Sequence, residues 1–98
     1  MSETEDAITV IDHAERARYE VFVDGQLAGY AAYRDLPGRR AIVHAEVAEA
    51  FGGRGVGSYL ARQALDDVRG RGLRVVPSCP FIEQFIDRHP AYQDLVGD

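Results

Sequence analysis

The chain has 98 residues and a formal net charge of -5, with 46% hydrophobic and 28% charged residues. This length suits one domain with one modest core, and the negative charge argues against a nucleic-acid-binding protein, which needs a cationic face. One cysteine excludes an intrachain disulfide, and no apolar run approaches the roughly 20 residues of a membrane span. With no leader pattern either, we expect a cytoplasmic protein with a reduced thiol.

The first half of the chain predicts a meander of strands after an acidic tail. Residues 1–6 are polar and acidic, which predicts a disordered N-terminus before a folded domain over 7–98. Asp24-Gly25 and Pro37-Gly38 are turn signals between apolar or alternating segments. The predicted strands cover residues 7–12, 17–23, 26–34 and 41–47.

The second half predicts a helix, a strand and a second helix. Between Gly55 and Gly70 the apolar period changes from two to nearly four, which is typical of an amphipathic helix. Residues 73–77 form a short apolar strand, and residues 79–90 form a helix with Pro80 in its first turn. A last turn is expected to pack through Tyr92, Leu95 and Val96.

This order of elements predicts where a ligand would bind. A strand, a helix and a further strand cross over right-handed, which places residues 41–47 and 73–77 side by side and parallel. Open α/β sheets bind ligands outside the carboxyl ends of parallel strands. The glycine cluster after Val47 and the segment around Cys79 both follow such an end.

The glycine cluster at the start of the first helix is a candidate anion site. A helix N-terminus presents free amides and the positive end of the helix dipole, and glycines let an anion approach the backbone. The segment "EVAEAFGGRGVGSYL" at 46–60 does not match the Walker pattern, because no Gly-Lys-Ser/Thr follows the glycines. It does not match the dinucleotide fingerprint either, because position 60 is Leu and not a third glycine. An ordinary flexible turn remains the alternative at this point.

The same segment resembles the acyl-CoA signature of the GNAT superfamily of N-acetyltransferases. The resemblance implies that loop amides hold the CoA pyrophosphate and that the preceding strand aligns the pantetheine arm. Gly52 departs from the pattern, because this position is Gln or Arg in the superfamily. The residues expected at the acetyl-CoA site are Val47, Gly52, Gly53, Arg54, Gly55, Val56, Gly57 and Ser58.

Further motifs narrow the resemblance to minimal, single-domain GNAT-like proteins. These are "HAEV" at 44–47, "PSCPF" at 77–81, "RHPAY" at 88–92 and the hairpin "FVDGQLAGY" at 22–30. The resemblance implies an α/β (α+β) fold: a mixed, mostly antiparallel sheet, splayed at a parallel strand pair, with two main helices. The implied activity is acetyl transfer from acetyl-CoA to an amine.

Three residues are catalytic candidates. Cys79 is expected at a helix N-terminus, where the dipole favours a nucleophilic thiolate, and the family resemblance suggests a catalytic role for it; a small buried thiol is the alternative. Direct attack by the amine needs a base instead, and His44 and Glu46 share one strand face. A structural histidine and a solvent-facing glutamate are the alternatives for these two residues. His89 is expected to cap a helix end.

The remaining cations and aromatic residues are assigned to surface and core. Arg54 is the best candidate for a phosphate contact. Arg39-Arg40 and the arginines from 69 to 74 are expected to be solvated turn charges, with a contact to the CoA nucleotide end as the alternative. The aromatic residues expected mostly in the core are Tyr19, Tyr30, Tyr33, Phe81, Phe85 and Tyr92.

Two other functions compete with acetyl transfer. One is a CoA-binding module without turnover, which senses acyl-CoA or joins a partner protein. The other is a redox-responsive thiol protein that uses Cys79 without CoA. We expect an amine-bearing substrate, no metal and no nucleic-acid or membrane partner. The acceptor and the oligomeric state do not follow from the sequence.

Overall fold

Five strands form one mixed sheet in the computed structural model, which describes residues 7–97. The strands follow chain order across the sheet, and each neighbouring pair is antiparallel except the last, which is parallel. This confirms the mixed, mostly antiparallel sheet. The predicted tail at 1–6 lies outside the described residues. The strands are β1 (Ile8–His13), β2 (Arg18–Val23), β3 (Gln26–Leu36), β4 (Arg39–Val47) and β5 (Arg74–Pro77).

Two helices cover one face of this sheet. Helix α1 (Val56–Gly70) follows β4, and helix α2 (Pro80–Arg88) follows β5. The apolar stripe of α1 is buried as predicted, and Ile82, Phe85 and Ile86 of α2 join the same core. None of the described helices has the length and apolar character needed to cross a membrane.

The strand and helix ends differ from the predicted ones where turns are tight. The turn at Pro37-Gly38 needs only two residues, because Gly38 adopts φ 73°, so pairing extends to Leu36 and Arg39. Helix α2 ends at Arg88 rather than 90, because Pro90 disfavours helical backbone at the residue before it. In the 3₁₀ turn Pro90–Leu95, Tyr92 and Leu95 are buried as predicted.

Two apolar residues predicted to be packed are exposed instead. Val96 is 42% exposed, because its backbone forms a single bridge to Val75 and its side chain turns outwards. Phe81 is 40% exposed on the first turn of α2. The predictions of packing for Val96 and of a core position for Phe81 are therefore wrong, and Phe81 takes part in the site described below.

A bulge in β4 decides which side chains face the helices. Ile42 pairs with Tyr33 and His44 pairs with Ala32, so Val43 between them has no partner in β3. Such an extra residue reverses the alternation of side chains along a strand. Ile42 is therefore buried under the helices, whereas His44 and Glu46 lie on the helix-free face and are exposed.

The prediction that Arg40 is a solvated turn charge is wrong. The extended β3–β4 hairpin places its side chain on the helix-covered face, where 6% of it is exposed. Its Nε donates to Asp35 Oδ1 at 2.7 Å and its Nη1 donates to the Tyr19 hydroxyl at 2.8 Å. The guanidinium carbon also lies 3.8 Å from the centre of the Tyr33 ring. Burial is tolerated because the cation is paired and hydrogen-bonded.

Candidate active site

Strand β4 continues beyond the carboxyl end of its parallel partner β5, whose residues 74–77 all pair with β4. The splay of this pair that the resemblance implied stays a prediction. Strand β5 pairs with β4 only at residues 39–42. Of the following residues, 44–47 pair with β3 on one side, and none of 43–47 has a described strand on the other side. Backbone amides and carbonyls along this part of β4 are therefore presented at an open edge, where an extended ligand can pair with them.

The glycine turn leads from this open edge into the N-terminus of α1. Gly53 and Gly55 have φ values of 78° and 76°, which non-glycine residues rarely adopt. Gly55 is the N-cap, and no side chain caps the helix. The first helical hydrogen bond runs from the Tyr59 amide to the Gly55 carbonyl at 3.0 Å, so the amides of residues 56–58 point out of the helix end.

The electrostatics of this helix end suit an anion. No acidic residue lies in the first turn of α1, so the positive end of the helix dipole is not neutralised by a neighbouring carboxylate. Arg54 adds a cation at the rim, where its guanidinium carbon lies 5.8 Å from the centre of the Phe51 ring. The arrangement suits a phosphate group.

A groove of about 370 Å³ joins the open edge and the helix end. Phe81 of α2 forms its opposite wall, and a Cβ atom at Gly57 would lie 3.2 Å from the Phe81 Cζ atom. Glycine at position 57 therefore lets the aromatic ring close over the first turn of α1. The predicted residues that line the groove are Glu46, Val47, Gly52, Gly53, Gly55, Val56, Gly57 and Ser58.

Glu46 and His44 form a hydrogen-bonded pair beside the groove. Oε1 of Glu46 lies 3.2 Å from His44 Nε2 and 3.2 Å from the Tyr30 hydroxyl. These two hydrogen bonds lower the pKa of the Glu46 carboxyl, which favours its ionised form. Sequence reasoning missed Tyr30 as a partner; the signal is the strand register, which pairs Tyr30 with Glu46.

Cys79 lies at the predicted helix end but away from the groove wall. It is the N-cap of α2 and is 4% exposed within the hydrophobic core. Of the predicted site residues, Cys79, His44 and Arg54 are not among the described residues that line the groove. A catalytic role for Cys79 stays a prediction. His89 caps α2 as expected, because its Nδ1 lies 2.7 Å from the Phe85 carbonyl oxygen.

Comparison with known proteins shows the family of this chain. A family model described as GCN5-related N-acetyl-transferase matches residues 18–95. The chain belongs to this family. Members of the GCN5-related family transfer acyl groups and generally use acetyl-CoA as the donor. Within residues 7–97, no group of three or more His, Cys, Asp or Glu side chains is placed to hold a metal ion.

Two relatives and one solved structure are similar to this chain. Protein NATD1 of Bos taurus is 32% identical over 88 residues, which are 87% of this chain and 78% of that protein. Protein NATD1 of Homo sapiens is 30% identical, with the same coverage. The ribosomal-protein-alanine N-acetyltransferase of Brucella melitensis biovar Abortus 2308 has a TM-score of 0.59 at 22% identity, over 83% of this chain and 61% of that chain. At this identity the likeness supports the fold.

Proposed function

We propose that the protein transfers an acetyl group from acetyl-CoA to an amine. The observation that carries the proposal is the groove in which the open edge of β4 at residues 43–47 meets the uncapped N-terminus of α1. An extended amide-bearing arm and a phosphate are the two chemical parts that such a groove accommodates. CoA carries both parts in one molecule.

The residues of the groove fit the donor part by part. Amides of residues 56–58 and the cation of Arg54 would hold the pyrophosphate. The side chains of Val47 and Phe81 would cover the apolar stretches of the pantetheine arm. When bound, acetyl-CoA supplies the acetyl group as a reactive thioester. Because position 52 is Gly and not Gln or Arg, no side chain at this position contacts the pyrophosphate. The site would bind it through backbone amides and Arg54.

His44 and Glu46 are placed to accept the proton that the amine loses. His44 Nε2 donates to the ionised Glu46 carboxylate, which leaves Nδ1 as the acceptor for a proton. The acceptor amine would approach from the helix-free face, where both side chains are exposed. As the amide bond forms, the carbon–sulfur bond breaks, the CoA sulfur leaves with the electron pair, and the amine proton passes to His44.

The covalent route through Cys79 is the alternative within this function. Its support is the position of Cys79 as the N-cap of α2, at the end of β5. Its burial at 4% exposure favours direct transfer, because a thiol that attacks a thioester has to reach the groove. Mass spectrometry after incubation with acetyl-CoA separates the routes: an acetyl adduct that Cys79→Ala abolishes, together with the activity, would establish the covalent one.

A CoA-release assay with a panel of amine acceptors tests the function. Peptides with a free N-terminus, lysine peptides and a polyamine cover the acceptor classes. We expect Glu46→Gln to lower kcat by about 10²-fold or more, since it removes the charge that orients His44. Glu15→Gln, an exposed change in the turn Ala14–Arg16, serves as control and should leave kcat unchanged.

Two results would contradict the proposal. Absence of acetyl-CoA binding in calorimetry at high micromolar ligand would remove both the transferase and the CoA-binding alternative. Tight binding without CoA release from any acceptor would favour the binding module. A redox-responsive thiol protein that works without CoA predicts the first result, together with a loss of the free thiol under mild oxidation.

A further inference from the structure

One stripe of helix α2 continues the groove beyond the glycine turn. Phe81, Gln84, Phe85 and Arg88 stand at spacings of three and four residues, so their side chains lie along one side of the helix. Phe81 borders the groove, and Arg88 is the last residue of the helix. The stripe therefore leads from the groove wall to a cation about two turns away.

A second, smaller hollow occupies this stripe. It has a volume of about 90 Å³ and adjoins the groove, because Ser58 and Phe81 line both. We call it the Arg88 hollow. Its lining residues are Ser58, Phe81, Gln84, Phe85, Arg88 and His89. A ligand that passes over the first turn of α1 at Ser58 can enter the hollow without leaving the protein surface.

The Arg88 hollow presents groups that bind an anion. Arg88 is exposed, and no carboxylate among residues 7–97 forms an ion pair with it. Glu83 and Asp87 lie on another side of α2, outside the lining. The Gln84 amide and the Ser58 hydroxyl add neutral donors. A planar guanidinium with flanking donors matches the geometry of a phosphate.

The aromatic wall of the hollow is held in a fixed orientation. The His89 ring stacks on the Phe85 ring with centroids 3.9 Å apart and an angle of 15° between the planes. The Phe85 carbonyl accepts a hydrogen bond from His89 Nδ1 at 2.7 Å, which fixes the ring further. Because a carbonyl oxygen only accepts, His89 Nδ1 is the donor in this contact. Arg88 supplies the guanidinium of the hollow.

We propose that the Arg88 hollow binds the 3′-phosphate of the CoA nucleotide. The inference rests on the proposed function, which assigns the pyrophosphate to the amides of residues 56–58. CoA carries one further phosphate, a monoester on the ribose, beyond the pyrophosphate. The hollow shares Ser58 and Phe81 with the groove, and its lining contains no residue of β4. A phosphate beyond the pyrophosphate could therefore reach it from the first turn of α1.

Calorimetry with CoA and 3′-dephospho-CoA tests the assignment on the whole protein. We expect CoA to bind about tenfold more tightly than 3′-dephospho-CoA, the size of one charge-assisted hydrogen-bonded contact. Arg88→Ala should reduce CoA affinity to that of 3′-dephospho-CoA and leave the latter unchanged. Arg88→Lys, which keeps the charge but loses the planar fork, should retain part of the difference.

Controls separate this contact from a general effect of charge. Arg16→Ala removes one cation from the turn Ala14–Arg16 and should keep the full preference for CoA. Inorganic phosphate is the probe for a free phosphate site: competition with CoA but not with 3′-dephospho-CoA would assign the hollow to free phosphate as well. Circular dichroism of Arg88→Ala checks that the variant is folded.

The possible failures are distinguishable. If the unaltered protein binds both ligands equally well, the Arg88 hollow does not bind the 3′-phosphate, although CoA still occupies the groove. If Arg88→Ala weakens both ligands by the same factor, Arg88 acts through charge at a distance and the assignment is wrong. If neither ligand binds, the proposed function itself fails.

Discussion

At the scale of single residues, Gly52 is the position where this chain departs from the GNAT pattern. Its backbone conformation would also accept the Gln or Arg of that pattern. Its φ is -68° and its ψ is 153°, an extended conformation open to any residue. A Cβ atom there would lie 3.3 Å from the Glu49 carbonyl oxygen, a contact that a small shift relieves. We expect Gly52→Arg to tighten acetyl-CoA binding about five- to tenfold in calorimetry, through one added charge-assisted contact.

Gly53→Arg is the matched control for this prediction. It adds the same charge one residue further on, but at φ 78°, where a side chain costs about 1–3 kcal/mol of backbone strain. We expect weaker binding and a lower melting temperature for this variant. Equal affinity of Gly52→Arg and the unaltered protein would show that position 52 does not face the pyrophosphate.

Residues whose role depends on local chain order were predictable from the sequence. The glycines around Arg54 line one groove. They were predictable because a turn with positive φ and the start of a helix both depend on residues that are neighbours in the sequence. Arg40 and Tyr30 were not predictable in the same way. The hydrogen-bond partners of Arg40 are 5 and 21 residues away along the chain, and the partner of Tyr30 is 16 residues away. Only the strand register brings these residues together.

At the scale of elements, the buried side chain of Arg40 connects β4 with β1, β2 and α1. Its Nη1 lies 3.5 Å from Asp12 Oδ2 and 3.6 Å from Asp67 Oδ2. We expect Arg40→Ala to lower the free energy of unfolding by about 3–5 kcal/mol, since removal of one partner leaves partly buried carboxylates without their cation. Urea denaturation measures the change.

Arg34→Ala is the control for the loss of a surface arginine from the same hairpin. Arg34 is exposed on β3, and its removal should change stability by less than about 0.5 kcal/mol. A change for Arg40→Ala as small as that for Arg34→Ala would mean that the network contributes nothing to stability. Acetyl-CoA affinity should be unchanged in folded Arg40→Ala, because Arg40 does not line the groove among the described residues.

Element order was predictable, but element registers were not. Turn residues and the change of apolar period mark the strands and helices along the chain. The bulge at Val43 leaves no local signal, yet it puts His44 and Glu46 on the helix-free face. Gly29 behaves similarly: a Cβ atom there would clash with the Glu46 carbonyl oxygen on β4, a constraint that exists only once the strands are paired.

At the scale of the whole molecule, carboxylates with lowered pKa values connect distant elements. A hydrogen bond from Arg40 lowers the pKa of Asp35. Burial by itself would raise the pKa of Asp67, but hydrogen bonds from Arg71 and Tyr19 outweigh it and lower the pKa. The hydrogen bond between Arg40 and Asp35 joins β4 to β3, and the hydrogen bond between Tyr19 and Asp67 joins β2 to α1.

This pattern predicts acid-induced loss of stability. A carboxyl whose pKa is lower in the folded state contributes stability above its ordinary value, here 3.8, and the contribution is lost as pH falls through the folded-state pKa. The unfolded chain then binds more protons than the folded one, so stability falls with pH. We expect the melting temperature to be nearly constant between about pH 8 and 6 and to decrease steeply below about pH 4.

The variant Asp67→Asn measures how much of the acid-induced loss of stability is caused by Asp67 in α1. The variant lacks the titrating group, so it should be less stable at pH 7 and show a shallower decrease in melting temperature between about pH 5 and 3. Asp24→Asn, an exposed change in the β2–β3 turn, should follow the unaltered protein. Parallel curves for Asp67→Asn and the unaltered protein would mean that Asp67 has the same pKa in both states, and that other carboxylates cause the acid transition.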